Sequence, residues 1–109
     1  MNHLEEFHFD FSQLNEQRAS EKKAWLQFLD KSSLRCGVYH LKAGSKDPQQ
    51  PHAEDEVYYV VSGKSHFEVN GNAIAVGPGS VIFVAAGDEH RFMDIEEDLS
   101  VLVFFAKNE

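Results

Sequence analysis

The chain of 109 residues has a single cysteine, Cys36, so no disulfide framework can form within it. It has little positive charge: Lys and Arg number 10 against 18 Asp and Glu, a formal net charge of −8. Without a basic stripe there is nothing to displace counterions from a phosphate backbone, so nucleic acid is not an expected partner, nor is an anionic membrane surface. No charged segment followed by an apolar one marks a secretory leader, and the longest apolar run, around 101–106, is far too short to span a bilayer. The expected compartment is the cytoplasm. There is also no internal repeat, low-complexity tract or interdomain linker, so a chain of this length reads as one domain.

What is present is β patterning. Nine Phe residues suit packed sheet faces. From residue 34 onward, short apolar segments alternate with turn residues about every ten positions, the signature of a β-sandwich or small barrel. The expected strands are 34–41, 56–62, 66–69, 73–76, a buried 81–84, 90–95 and 99–106. A turn is expected at Ser62-Gly63-Lys64, and the acidic Glu96-Glu97-Asp98 separates the last two strands. Asn70-Gly71 is the preferred pair for a tight type I′ hairpin. The N-terminal third is less marked. Phe7, Phe9 and Phe11 alternate with polar residues as in a strand. Residues 13–23 are polar and suit the start of a short helix, with Ser20 as N-cap, while Trp25, Leu26, Phe28 and Leu29 fit a strand or a helix face.

Two stretches concentrate metal-ligand residue types between glycines. In the first, Gly44 is followed by five residues, then Gln50, Pro51, His52, three residues, Glu56, six residues and Gly63. In the second, Gly79 is followed by five residues, Ala85, Ala86, Gly87, two residues, His90, three residues and Asp94. Strand alternation puts Glu56, Tyr58 and Val60 on one face, and His90, Phe92 and Asp94 on one face of another strand. An unpaired carboxylate inside a barrel is costly, and a divalent cation removes the conflict. His3, His8, His40 and His66 are read as ordinary surface or satisfied residues, and Glu54 and Asp55 as a solvated acidic run. Arg91 should point away from His90. Cys36 is read as a small buried hydrophobe.

This arrangement resembles the cupin superfamily, whose two motifs are written G(X)5HXH(X)3,4E(X)6G and G(X)5PXG(X)2H(X)3N. Every spacing fits. Gln50 stands where the first histidine is usual, Ala85 replaces proline, and Asp94 replaces asparagine. The resemblance covers about residues 34–106, and only 15 residues separate Gly63 from Gly79, which leaves no room for an inserted lid. It implies an all-β jelly-roll barrel of six to eight strands, with residues 1–33 as an N-terminal extension that adds edge strands on the barrel or across a homodimer interface, and 107–109 as a tail. By position the implied ligands are His52, Glu56 and His90, with Gln50 as a fourth ligand or a hydrogen-bonding neighbour. That set would hold one divalent transition metal per chain, Fe, Mn, Zn, Ni or Cu, with positions left open for a small-molecule substrate. Tyr58, on the Glu56 face, is the candidate catalytic hydrogen-bond or proton donor. The implied activities are those of metal-dependent oxygenases, isomerases and lyases on small polar molecules, with a non-catalytic binding module as the alternative.

Overall fold

The computed structural model describes residues 7–49 and 51–107. A short helix, α1 (Phe11–Ser20), precedes six strands: β1 (Trp25–Asp30), β2 (Leu34–Leu41), β3 (Glu56–Val69), β4 (Asn72–Val76), β5 (Val81–Val84) and β6 (His90–Ala106). All pairings are antiparallel. The sheet runs β1-β2-β6-β3-β4, with β5 also paired to β3. The two long strands organise the molecule. The first part of β3 lies between β5 and the second half of β6, and its last part lies between β4 and the start of β6. Bending along these strands folds the sheet into an all-β jelly-roll barrel. Tyr58, Val60, Phe67, Phe92, Leu99 and Val101, all at 1% exposure or less, fill its interior.

Continuity of the long strands corrects the expected boundaries. Ser62-Gly63-Lys64 is not a turn, and the acidic 96–98 stretch does not break a strand. Both places hold bulges instead. Pairing of β3 with β6 shifts register between Val60 and His66, and the inward set changes parity from Glu56, Tyr58 and Val60 to Ser65 and Phe67. On β6 the inward set likewise changes from His90 and Phe92 to Ile95, Leu99 and Val101. Asp94 lies at this change with φ +50° and is exposed, so it leaves the His90 face on which alternation had put it. Gly63 has φ +102°, and a Cβ there would lie 2.7 Å from Leu99 Cα. The backbone approach, not a chain reversal, is what requires glycine. Gly63→Ala is expected to cost about 3 kcal/mol or more, because neither the dihedral nor the backbone contact can relax cheaply. A urea midpoint equal to wild type would contradict this account.

The Asn70-Gly71 hairpin forms with φ +49° and +87°, the two positive values its turn type needs. β5 is only half buried: Ile82 and Val84 point inward, while Val81 and Phe83 are exposed. The N-terminal third departs furthest from expectation. Phe7, Phe9 and Phe11 form no strand. Asp10 caps α1, its Oδ1 accepting from the Ser12 and Gln13 amides at 2.9 and 3.3 Å. Ser20 is therefore the last helical residue, not an N-cap. The buried side of α1 is Phe11, Leu14, Asn15 and Arg18, a helical spacing concealed by two polar residues. Arg18 is buried because its guanidinium bonds Asn15 Oδ1 at 2.9 Å and Lys23 O at 2.7 Å. Trp25–Asp30 is a strand, at the edge beside β2 of its own chain.

Candidate metal centre

Glu56 opens β3 and His90 opens β6, so each is fixed by the start of a long ladder. His52 comes from the connection between β2 and β3. Its carbonyl accepts from Gly87 N at 2.8 Å, and Asp55 Oδ1 accepts from Ala86 N at 2.8 Å. These two bonds tie the two glycine-flanked stretches together, and Asp55 is structural where the sequence suggested a solvated acid. One donor atom from each of His52, Glu56 and His90 lies within 4.8 Å of the others. Gln50 lies outside the described residues.

The electrostatics of the cluster fit a cation. The Glu56 side chain has no exposed surface and that of His90 has 1%. His90 Nε2 is 2.8 Å from Glu56 Oε1. The contact is close but not directed along a hydrogen bond, and among the described residues neither Glu56 oxygen nor His90 Nε2 has an aligned partner. His90 Nδ1 sits 2.8 Å from Asp88 O, which can only accept. One proton therefore belongs on Nδ1, which leaves Nε2 as the nitrogen that faces Glu56 and the one available to a metal. Burial pulls the imidazole pKa down, but the Glu56 carboxylate and the Asp88 carbonyl outweigh it and leave His90 raised in the metal-free chain. With His52 added to Glu56 and His90, the set of two imidazoles and a carboxylate suits Fe, Mn, Zn, Ni or Cu in the divalent state.

Tyr58 is fully buried, its ring packed on Phe67, Phe92 and His90. Its hydroxyl donates to Gln49 Oε1 at 2.7 Å. Burial, reinforced by the Glu56 charge, raises its pKa far above the ordinary phenol value, so it stays protonated. Gln49 is oriented in turn by Asp47, whose Oδ2 accepts from Gln49 Nε2 at 2.7 Å and from Phe92 N at 2.9 Å. Asp47 Oδ1 accepts from the Tyr39 hydroxyl at 2.7 Å and from Gln49 N at 3.2 Å. Asp47 and Gln49 were invisible to sequence reasoning, since a polar loop residue becomes a buried anchor only through strands far away in the chain. Tyr39 faces inward beside the site; His40, its neighbour, contacts Ser100. Arg91 points outward to Glu68, as alternation requires.

Glu54 is likewise not a plain solvated acid. It takes Arg35 Nε and Nη2 at 3.1 and 2.6 Å, and that guanidinium lies 3.7 Å over the Phe105 ring. Arg35 holds the Glu54 carboxyl below its ordinary pKa. Because folding lowers that value, the pair adds stability above the unfolded Glu pKa and loses it as pH falls through the lowered folded one. Glu54→Gln is expected to cost about 1 kcal/mol at pH 7. That deficit should shrink toward zero in acid, as read from paired urea titrations. A deficit constant across that range would count against the ion pair.

A pocket of about 220 Å³ opens beside the cluster, with His52 and Gln49 in its wall. The sequence signature of the cupin domain matches residues 37–105, which holds all three donors. The chain belongs to the cupin family. An uncharacterised protein of Streptomyces coelicolor is 46% identical over 101 residues, covering 93% of this chain and 96% of that protein. Among solved cupin-like structures, the DMSP lyase DddQ of Ruegeria pomeroyi superposes with TM-score 0.72 at 21% identity, over 83% of this chain and 50% of that one. This cupin thus spans half the length of that lyase. KdgF of Halomonas gives TM-score 0.69 at 18% identity, over 82% and 90%. The Schizosaccharomyces pombe Cnp3 cupin domain gives 0.70 at 18%, over 77% and 64%. At these identities the likeness is one of fold. No helix among the described residues is long and apolar enough to cross a membrane.

Proposed function

We propose that this cupin is a metal-dependent enzyme acting on a small organic molecule held beside His52, Glu56 and His90. The observation that carries the reading is the convergence of these three donors, two of them buried, with Glu56 and His90 Nε2 lacking an aligned partner among the described residues. A divalent ion bound there supplies Lewis-acid or redox chemistry to an oxygen of the ligand. Glu56 and His90 hold it on rigid strands, and the Asp88 carbonyl keeps the His90 tautomer correct. Tyr58, kept protonated, gives its hydrogen bond to Gln49 and so orients an amide that faces the pocket. The apolar walls exclude water from the reacting end.

A second reading, a non-catalytic binding barrel, is favoured by one observation. The two phenols nearest the cluster are held protonated by burial and both donate elsewhere, to Asp47 and Gln49. Elemental analysis of protein purified without added metal, followed by oxygen uptake and a turnover screen of small organic acids and carbonyl compounds, separates these readings. Iron with oxygen uptake supports an oxygenase; zinc, manganese or nickel with turnover but no uptake supports an isomerase or lyase. A loaded protein that turns over nothing sinks the enzyme reading in favour of the binding barrel.

A further inference from the structure

The pocket beside the cluster has the wrong chemistry for a sugar. Trp25, Pro48, Val103 and Phe105 make most of its surface apolar. The indole wall is built into the backbone: Trp25 lies flat on Gly37, where a Cβ would stand 2.5 Å from Trp25 Cζ2. The volume of about 220 Å³ is below the roughly 300–1,000 Å³ of sites for drug-sized ligands. Most polar groups in the wall are already engaged. Tyr39 O–H is given to Asp47, and the Gln49 amide bonds Asp47 through Nε2 and Tyr58 through Oε1.

Arg35 is the exception. Glu54 takes its Nε and one Nη2 hydrogen, and Gln27 Oε1 accepts from Nη1 at 3.3 Å. Among the described residues, three of the five guanidinium N–H groups are therefore used and two remain. His52 brings the ligand cluster to the wall of the same pocket, and a divalent ion there with one carboxylate and two neutral imidazoles would carry a net charge of +2 − 1 = +1. The pocket thus offers the free N–H groups of an Arg35 whose charge is balanced by Glu54, the ligand cluster at His52, and apolar walls. A polyol would bring several hydroxyls to this space and leave most of them unpaired, at about 1–3 kcal/mol each.

We propose that the pocket takes a compact carboxylate with an apolar body, its carboxylate on Arg35 and a second oxygen toward His52, and not a sugar or polyol. This rests on the metal-site reading above, so metal content is measured first. Protein loaded with zinc, its stoichiometry set by elemental analysis, is titrated by calorimetry with isobutyrate, benzoate, isobutyramide, glycerol and glucose. Emission of Trp25, the one tryptophan in the chain, is followed in parallel.

Isobutyrate and benzoate should bind and change that emission, isobutyramide should bind about tenfold more weakly, and glucose and glycerol should give no heat. Arg35→Gln should bring isobutyrate to the level of its amide. Glu54→Gln, which frees the occupied edge of Arg35, should tighten isobutyrate instead, and it keeps the test decisive if Arg35→Gln does not fold. Glucose or glycerol binding as tightly as the carboxylates, or an unchanged acid-to-amide ratio in both variants, overturns the proposal. So does a protein with one zinc per chain that binds no carboxylate, and in that case the metal site stands. Carboxylate binding by a chain that holds no zinc would support the pocket chemistry and overturn the metal site alone.

Discussion

Reloaded with cobalt(II) and freed of loose ion, the wild-type chain is expected to hold one ion, whereas His90→Ala and Glu56→Gln should hold less than about a tenth of one. The expectation follows from burial. Glu56 and His90 are enclosed by Tyr58, Phe67 and Phe105, and their burial leaves little room for another side chain to take the place of a lost donor. Ion binding should also stabilise the fold. At a hundredfold excess over its dissociation constant, an ion bound only by the native state adds about 2.7 kcal/mol, which in a domain of this size raises Tm by roughly 10 °C or more. Glu56→Leu separates the metal from the fold. In chelator it should melt at or above wild type, because a buried carboxylate without an aligned partner is gone. In cobalt it should gain nothing. Both stoichiometry and melting check the assignment, and a His90→Ala protein that still carries one ion per chain would remove it.

Asp47→Ala is expected to destabilise the domain by about 3–5 kcal/mol, a large part of the 5–15 kcal/mol that holds a typical domain folded. Asp47 is 9% exposed, and its two oxygens serve four donors from three parts of the chain: Tyr39 on β2, Gln49 in the following connection, and Phe92 on β6. Alanine leaves the Phe92 amide and the Tyr39 hydroxyl buried without acceptors, and unpaired buried donors cost more than their bonds contributed. Asp47→Asn keeps one acceptor oxygen and should lose less than half as much. Urea denaturation of the three proteins checks the order. An alanine variant within 1 kcal/mol of wild type would mean that the carboxylate does not anchor the loop. The same variant should loosen Gln49, and therefore Tyr58, without touching any of the three metal donors.

The convergence of His52, Glu56 and His90 was legible through the cupin resemblance, whose motifs set these residues at fixed offsets from glycines that sequence displays directly. The β character of residues 56–61 and the Asn70-Gly71 hairpin were readable because their signals are local. What escaped was decided at a distance. Gly63 looks like a turn residue until Asp98 and Leu99 are seen packed against it, and an acidic triplet looks like a break until Lys64 pairs with Glu97 across the ladder. The bulge at Asp94 reset the alternation on β6, so the inference that Asp94 shares the His90 face failed one bulge away from the residue that anchored it. Phe7, Phe9 and Phe11 alternate as a strand would, yet the Asp10 cap and the buried Arg18 start a helix at Phe11 and leave Phe7 and Phe9 ahead of it. Asp47, Gln49 and Glu54 were missed because polar residues in a Pro- and Gly-containing connection carry no local sign of burial.

The three donors do not share one kind of support. Glu56 and His90 head the two longest strands and cannot shift without disturbing the ladder between them, whereas His52 hangs on a connection latched by Gly87 N to its carbonyl. A cluster built this way has two fixed posts and one adjustable arm. Any adjustment of the cluster to the radius of an ion would fall on the His52 side, which is also the side that lines the pocket. A molecule seated in that pocket would therefore bear on the movable donor and not on the two fixed ones.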